Sequence, residues 1–223
     1  MKNIMTKRLV MNTIAAALLT SSLAACIPLV MGGAVVGGTL VANDRRTSGA
    51  QLEDEGIELR SGSRIRGTVG DRVHVNVNSY NRQVLLTGEV PSAQDKLLVE
   101  QIVAKVENVT SVINELAVMG NSTLTQRSSD VLVTGRVRAM LVDARDLFAN
   151  SFRVVTERGT THMMGRVTQR EADRGTAVAR DTPGVQKVVR IFEIISEEEL
   201  AKQLPTPAKP AAQSPTETKP AGG

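Results

Sequence analysis

The chain has 223 residues, a formal net charge of +4, 2% aromatic residues, one Cys, two His and no Trp. A single Cys excludes an internal disulfide and a cysteine-rich zinc site, and two His without such a set give no basis for a catalytic metal centre. So few aromatics argue against a protein that stacks on sugars or bases.

The N-terminus reads as an address. Lys2, Lys7 and Arg8 form a basic start, Leu9–Leu19 is mainly apolar, and Leu23-Ala24-Ala25-Cys26 follows. A basic start, an apolar stretch and small residues before a cut site mark a secretory signal peptide, here residues 1–25. The Leu-Ala-Ala-Cys core resembles a bacterial lipobox. That resemblance implies cleavage before Cys26 and acylation of its thiol and new amine by chains such as palmitate. Ile27 stands where an Asp is associated with inner-membrane retention, which implies the outer membrane. Each buried methylene contributes about 0.8 kcal/mol, so several acyl chains anchor a protein essentially permanently. Residues 26–47 read as a lipidated, Gly-rich tether. Its uncharged run, 27–42, holds four Gly and a Pro and is shorter than the roughly 20 residues of a spanning helix. Loss of 1–25 leaves 24 Lys and Arg against 23 Asp and Glu, so the mature chain is +1 and its charge is no argument for nucleic acid.

The middle of the chain is a duplication. A shift of 77 residues pairs Val75 with Phe152, Val77 with Val154, Leu86 with Met163, Gly88 with Gly165 and Val90 with Val167. A shift of 76 then pairs Val109 with Val185 and Val112 with Val188. Each copy opens on a helical segment. In the first, Gly56, Gly62 and Gly67 predict a short or broken helix, since each interior Gly costs about 0.5–1 kcal/mol relative to Ala. Two alternating strands follow around the polar turns Tyr80–Gln83 and Glu157–Thr160, where Asn81 and Gly159 can take positive φ. An amphipathic helix comes next. In copy one Ser92 is its N-cap, and Leu98, Ile102, Val103 and Val106 make one face. The last strands, Val112–Met119 and Val188–Ile195, can lie parallel to a hairpin strand because the helix returns the chain across the sheet.

The expected fold is α+β: two α-β-β-α-β units, each a three-stranded mixed sheet with two helices on one face. The pattern resembles the BON domain (bacterial OsmY and nodulation). The resemblance rests on Leu86-Thr87-Gly88-Glu89-Val90 and Met163-Met164-Gly165-Arg166-Val167, and on the Val-x-x-Val of Val109–Val112 with Gly184-Val185-Gln186-Lys187-Val188. Pro183-Gly184-Val185 and the Arg170-Glu171-Ala172 helix start make the second copy the closer match. The expected layout is BON domain 1 over 48–119, BON domain 2 over 124–195 and a disordered Pro-rich tail over 196–223. Together with the lipobox, this resembles the dual-BON-domain lipoproteins of Gram-negative outer membranes.

No catalytic set stands out. His74 and His162 fall at different points of the repeat and read as surface strand residues, and no Gly-rich loop leads into a Lys-Ser/Thr helix. Glu197-Glu198-Glu199 reads as a solvated helix start rather than a metal site. No catalytic residue, cofactor or metal is expected, and the chain is not expected to be an enzyme.

A binding surface is expected in copy two. Residues 44–119 carry nine Lys and Arg against eleven Asp and Glu, whereas 120–195 carry twelve against eight. Eleven of those twelve cations are Arg, the side chain suited to bidentate phosphate recognition. Asp130 reads as the N-cap of a helix from Val131 to about Leu141 or Val142. Its core face is Val133, Val137, Met140 and Leu141. Val131, Leu132, Gly135, Ala139 and Val142 lie opposite, flanked by Arg136 and Arg138. An apolar face edged by cations suits an interfacial helix, and the resemblance implies contact with anionic phospholipid. Family members can carry an aromatic near this helix start, where this chain has Val131-Leu132. The same stripe could instead pack on BON domain 1. The expectation is thus a lipoprotein at the periplasmic face of the outer membrane, anchored at Cys26. It would bind anionic phospholipid through domain 2 and support envelope integrity. The alternative is a protein-interaction module for outer-membrane assembly or cell-division machinery, using the sheet faces and the tail.

Overall fold

A computed structural model describes residues 44–203. The expected signal peptide, Cys26, most of the expected tether and the Pro-rich segment from 204 lie outside the described residues. What is described falls within one compact unit.

Helix α1 spans Ser48–Val69 without a break. Thr47 caps it, its hydroxyl accepting from the Ala50 amide at 3.2 Å. The expectation of a short or broken helix is corrected. Ile57, Ser61, Ile65 and Val69 recur every four residues and are all buried. That continuous seam against the sheet outweighs the Gly costs, because packing of an apolar face contributes more to helix stability than intrinsic propensity does.

After a 3-10 turn at Gly70–Arg72 come β1 (His74–Tyr80) and β2 (Gln83–Val90), paired antiparallel from His74↔Glu89 to Tyr80↔Gln83. Helix α2 (Ala93–Ala104) begins at Ser92, whose side chain accepts from the Asp95 amide as expected of a cap. The third strand of copy one is interrupted. It runs as β3 (Ser111–Asn114) and β4 (Ala117–Val118), both parallel to β2. Between them Leu116 turns into the core, and the Asn114 side chain accepts from its amide.

Copy two repeats the plan: α3 (Leu124–Asp143), a 3-10 turn at Ala149–Ser151, β5 (Phe152–Glu157), β6 (Thr160–Thr168), α4 (Gln169–Asp181) and β7 (Lys187–Ile195). Strand β7 is parallel to β6 over nine residues. Residues 197–203, expected to open the tail, form a further helix, α5 (Glu197–Gln203), with Leu200 buried. The fold is α+β, with two mixed sheets ordered β1-β2-β3/β4 and β5-β6-β7.

The central strands bury both faces. On β2, Val84, Leu86 and Val90 join the core under α1 and α2, and on β6, Met163 and Val167 join the core under α3 and α4. The alternate residues Leu85 and Met164 point the other way. They meet in a third cluster with Tyr80 and Ile191, flanked by Ile113 and Val189. The two sheets therefore close on each other. Polar pairs edge this junction: Arg153 reaches Asn78 at 3.2 Å and Glu58 at 2.7 Å, Asn81 reaches Glu193 at 2.8 Å, and Asn76 donates to Glu157. Sheet faces reserved for a protein partner are thus covered by one another.

Candidate functional site

Helix α3 carries the sequence-expected site. It starts seven residues before Val131, at Leu124. Thr123 is the cap, in a reciprocal capping box with Gln126. The assignment of Asp130 as N-cap is corrected. Asp130 is buried in the helix interior and accepts from the amides of Arg158 (2.7 Å) and Gly159 (3.1 Å), which form the β5–β6 turn.

The core face is Val133, Val137 and Leu141, all buried. Met140 was expected with them but is 43% exposed. At 100° per residue it falls at the edge of the face. Opposite lie Val131, Leu132 and Val142, which are 71%, 61% and 67% exposed. Gly135, Arg136, Arg138 and Ala139 are exposed as well. The stripe does not pack on the first domain, since the sheets take that role. Leu124, 78% exposed, extends the stripe by two turns at the position seven residues before Val131. Sequence reasoning missed it because the misplaced cap began the helix too late. The Thr123-x-x-Gln126 box was the signal available.

The cations edging the stripe differ from several others of domain 2. Arg166, Arg170, Arg174 and Arg190 each pair with a carboxylate. Arg136 and Arg138 reach only the carbonyls of Pro183 and Val154, and Arg127 reaches the Ser122 hydroxyl. Among the described residues none of these three forms an ion pair. Two clefts flank the helix. One, of about 500 Å³, is lined by Arg127, Arg138, Val131 and Gly135 with His74 and Asn76 of the first domain. The other, of about 420 Å³, is lined by Arg136, Arg158 and Gly184.

Both His fall in strands as expected, but only His74 keeps part of its ring exposed. His74 Nδ1 lies 3.0 Å from Glu89, which also accepts from the amide and hydroxyl of Ser122. Burial works against the Glu89 charge, but the Ser122 bonds and His74 hold its carboxyl below the ordinary value. His162 is buried on the face of β6 turned toward domain 1, 3.9 Å from Glu115, and burial pushes its pKa down. No helix among the described residues is long and apolar enough to cross a membrane.

A pair of α-β-β-α-β units closed sheet to sheet, one presenting an unpartnered amphipathic helix, defines a two-copy α+β repeat protein. The BON domain pattern matches residues 54–120 and 129–195. The Outer membrane lipoprotein DolP of Haemophilus influenzae is 34% identical over 179 residues, covering 79% of this chain and 92% of that protein. A 21 kDa hemolysin of Actinobacillus pleuropneumoniae is 28% identical over 154 residues, covering 68% of this chain and 79% of that one. The C-terminal domain of CdsD, a type III secretion structural protein of Chlamydia trachomatis, is 16% identical with a TM-score of 0.27, covering 60% of this chain and 96% of that one, which carries no inference. The chain belongs to the DolP-like family of proteins with two BON domains.

Proposed function

We propose that this chain is an outer-membrane lipoprotein, anchored at Cys26 and facing the periplasm, whose second BON domain binds anionic phospholipid through α3 and supports envelope integrity. The observation that carries the lipid reading is the exposed apolar stripe edged by Arg127, Arg136 and Arg138, which bond only to neutral acceptors. Such side chains keep their charge available for phosphate, while Leu132 and Val131 offer apolar surface to the headgroup boundary. The anchoring rests on Leu23-Ala24-Ala25-Cys26 and on the name of the DolP relative. The domain layout over 48–119 and 124–195 is part of the same reading.

The test uses the chain from residue 26 with Cys26→Ser, so that no acyl group masks weaker contacts. Its flotation with anionic vesicles is compared with zwitterionic ones. Preferential, salt-sensitive binding that is lost in Leu132→Glu and weakened in Arg136→Gln is expected. Equal flotation with both vesicle types, or unchanged flotation of the variants, overturns the lipid assignment.

A further inference from the structure

Four residues at the junction of tether and folded unit contact both domains. Arg45 crosses to domain 2. Its guanidinium donates from Nη1 to Glu171 Oε2 and from Nη2 to Glu171 Oε1, each at 2.7 Å, and from Nη1 to the Arg166 carbonyl at 3.0 Å. Both side chains of the pair are 1% exposed. Glu171 also accepts from the Thr168 amide, where it closes the capping box of α4. Its carboxylate is thus fully engaged at the start of that helix.

Arg46 turns the other way, into domain 1. It donates to Asp54 at 2.7 Å and to Asp44 at 2.6 Å, and its guanidinium lies 4.3 Å from the centre of the Tyr80 ring. The Tyr80 hydroxyl in turn accepts from the Arg166 amide at 3.3 Å. The backbone of Arg166 is therefore held on one side by Arg45 and on the other by Tyr80, the residue on which Arg46 stacks. The BON pattern begins only at residue 54, so residues 44–47 belong to neither repeat.

We infer that Asp44–Thr47 is a strap that locks the two domains sheet to sheet, with Glu171 of domain 2 as its receptor. The interface it closes is small in apolar content and edged by polar pairs, so the domains need such a fastening. The strap also makes domain 2, the last domain in sequence, the one gripped where the tether arrives. Breaking Arg45 away leaves a buried carboxylate without its cation, and that loss falls at the domain junction rather than in either helix-covered core.

The test uses the full chain with Arg45→Gln, and separately Arg45→Gln with Glu171→Gln, which removes both charges and leaves no orphaned carboxylate. Amide exchange is followed at the junction (Tyr80, Leu85, Met164, Ile191) and in the two cores (Val99, Val178). The expected result for both variants is junction exchange faster by about tenfold or more, with core exchange nearly unchanged, because local opening is read separately from global unfolding. Rise of core and junction amides by the same factor would mean that the pair only stabilises domain 2, and overturns the strap. So would unchanged exchange at the junction. If the single variant fails to fold, the double variant gives the same readout.

Discussion

Asp54 and Asp130 stand at equivalent points of the two repeats, and each accepts both amide hydrogens of its own hairpin turn. Asp54 takes those of Asn81 and Arg82, both at 2.8 Å, and Asp130 takes those of Arg158 and Gly159. All four turn residues have positive φ, between 51° and 73°. This is the two-residue turn whose twist suits a hairpin, but it is unfavourable for Arg82 and Arg158. A buried carboxylate facing both amides offsets that cost and ties each opening helix to its sheet. Asp130→Ala should lower stability by about 2–4 kcal/mol, since hydrogen bonds to a charged group are worth roughly 1.5–3 each. Asp54→Ala should cost more, because it also removes the acceptor of the Ser79 hydroxyl and one of the two carboxylates paired with Arg46. Urea midpoints measure both, and a loss under about 0.5 kcal/mol would contradict the clamp.

The Gly of each strand motif is required by close backbone approach. A Cβ on Gly88 would lie 2.1 Å from the His74 carbonyl oxygen, and one on Gly165 would lie 2.3 Å from that of Ser151. Gly88 also has φ +113. Ala at either position should cost about 2–3 kcal/mol, with Gly88 the worse of the two because strain adds to the clash. Gly67 is the contrast: it sits in α1 with nothing within 4 Å of a built Cβ. Gly67→Ala should stabilise by about 0.5–1 kcal/mol. Thermal unfolding that ranks the three otherwise would refute the steric account.

Those two motifs show why the fold was legible. Gly88 and Gly165 recur because the backbone demands it, and the period-two alternation around them marks strands; that the central strands bury both faces shows in the shared cluster of Leu85 and Met164. The boundaries of α1 and α3 were less legible. Gly56, Gly62 and Gly67 argued for a break that the buried seam of Ile57, Ile65 and Val69 overrides. Asp130 has the residue type of a cap, and only its long-range partners at 158 and 159 show its role. The stripe of Val131, Leu132 and Val142 was readable from helical period. Which Arg beside it lacks a carboxylate was not, because pairing such as Arg174 with Asp146 joins residues 28 apart in sequence.

Acid should unfold the protein in two stages. His162 is held neutral: burial pushes its pKa below 6.5, with Glu115 opposing and Lys187 reinforcing. The unfolded chain then binds that proton first, so stability falls as pH drops from about 6.5 toward the lowered folded value. Asp54, Glu89 and Glu171 follow. Burial raises each, but Ser79 and the turn amides, Ser122, and Arg45 respectively hold them below their ordinary values of 3.8, 4.5 and 4.5. Their stabilisation is complete above those values and is lost as pH falls through the lower folded ones. Glu157, raised by burial, works in the opposite sense just above 4.5. The difference in urea stability between the native chain and His162→Gln isolates the first stage. That difference should change between about pH 7 and 5, and a flat difference would exclude His162 as the cause.

The two edges of α3 predict separable contributions to vesicle binding. Each Arg near an anionic surface contributes about 1 kcal/mol, so Arg127→Gln, Arg136→Gln and Arg138→Gln should each weaken binding roughly fivefold. Because Arg136 lines one cleft and Arg127 with Arg138 the other, the loss at Arg136 should add to that at Arg127 or Arg138. Raising salt should erase most of the difference between native chain and Arg variants, since exposed charges are screened over about 10 Å at 0.1 M. Leu132→Ala and Leu124→Ala should weaken binding with little salt dependence, because they remove apolar contact rather than charge. Salt-sensitive Arg effects with no Leu effect would place the helix on the headgroups without insertion. Loss with Leu124 but not Leu132 would centre the contact on the first turn of the helix, seven residues before the start expected at Val131.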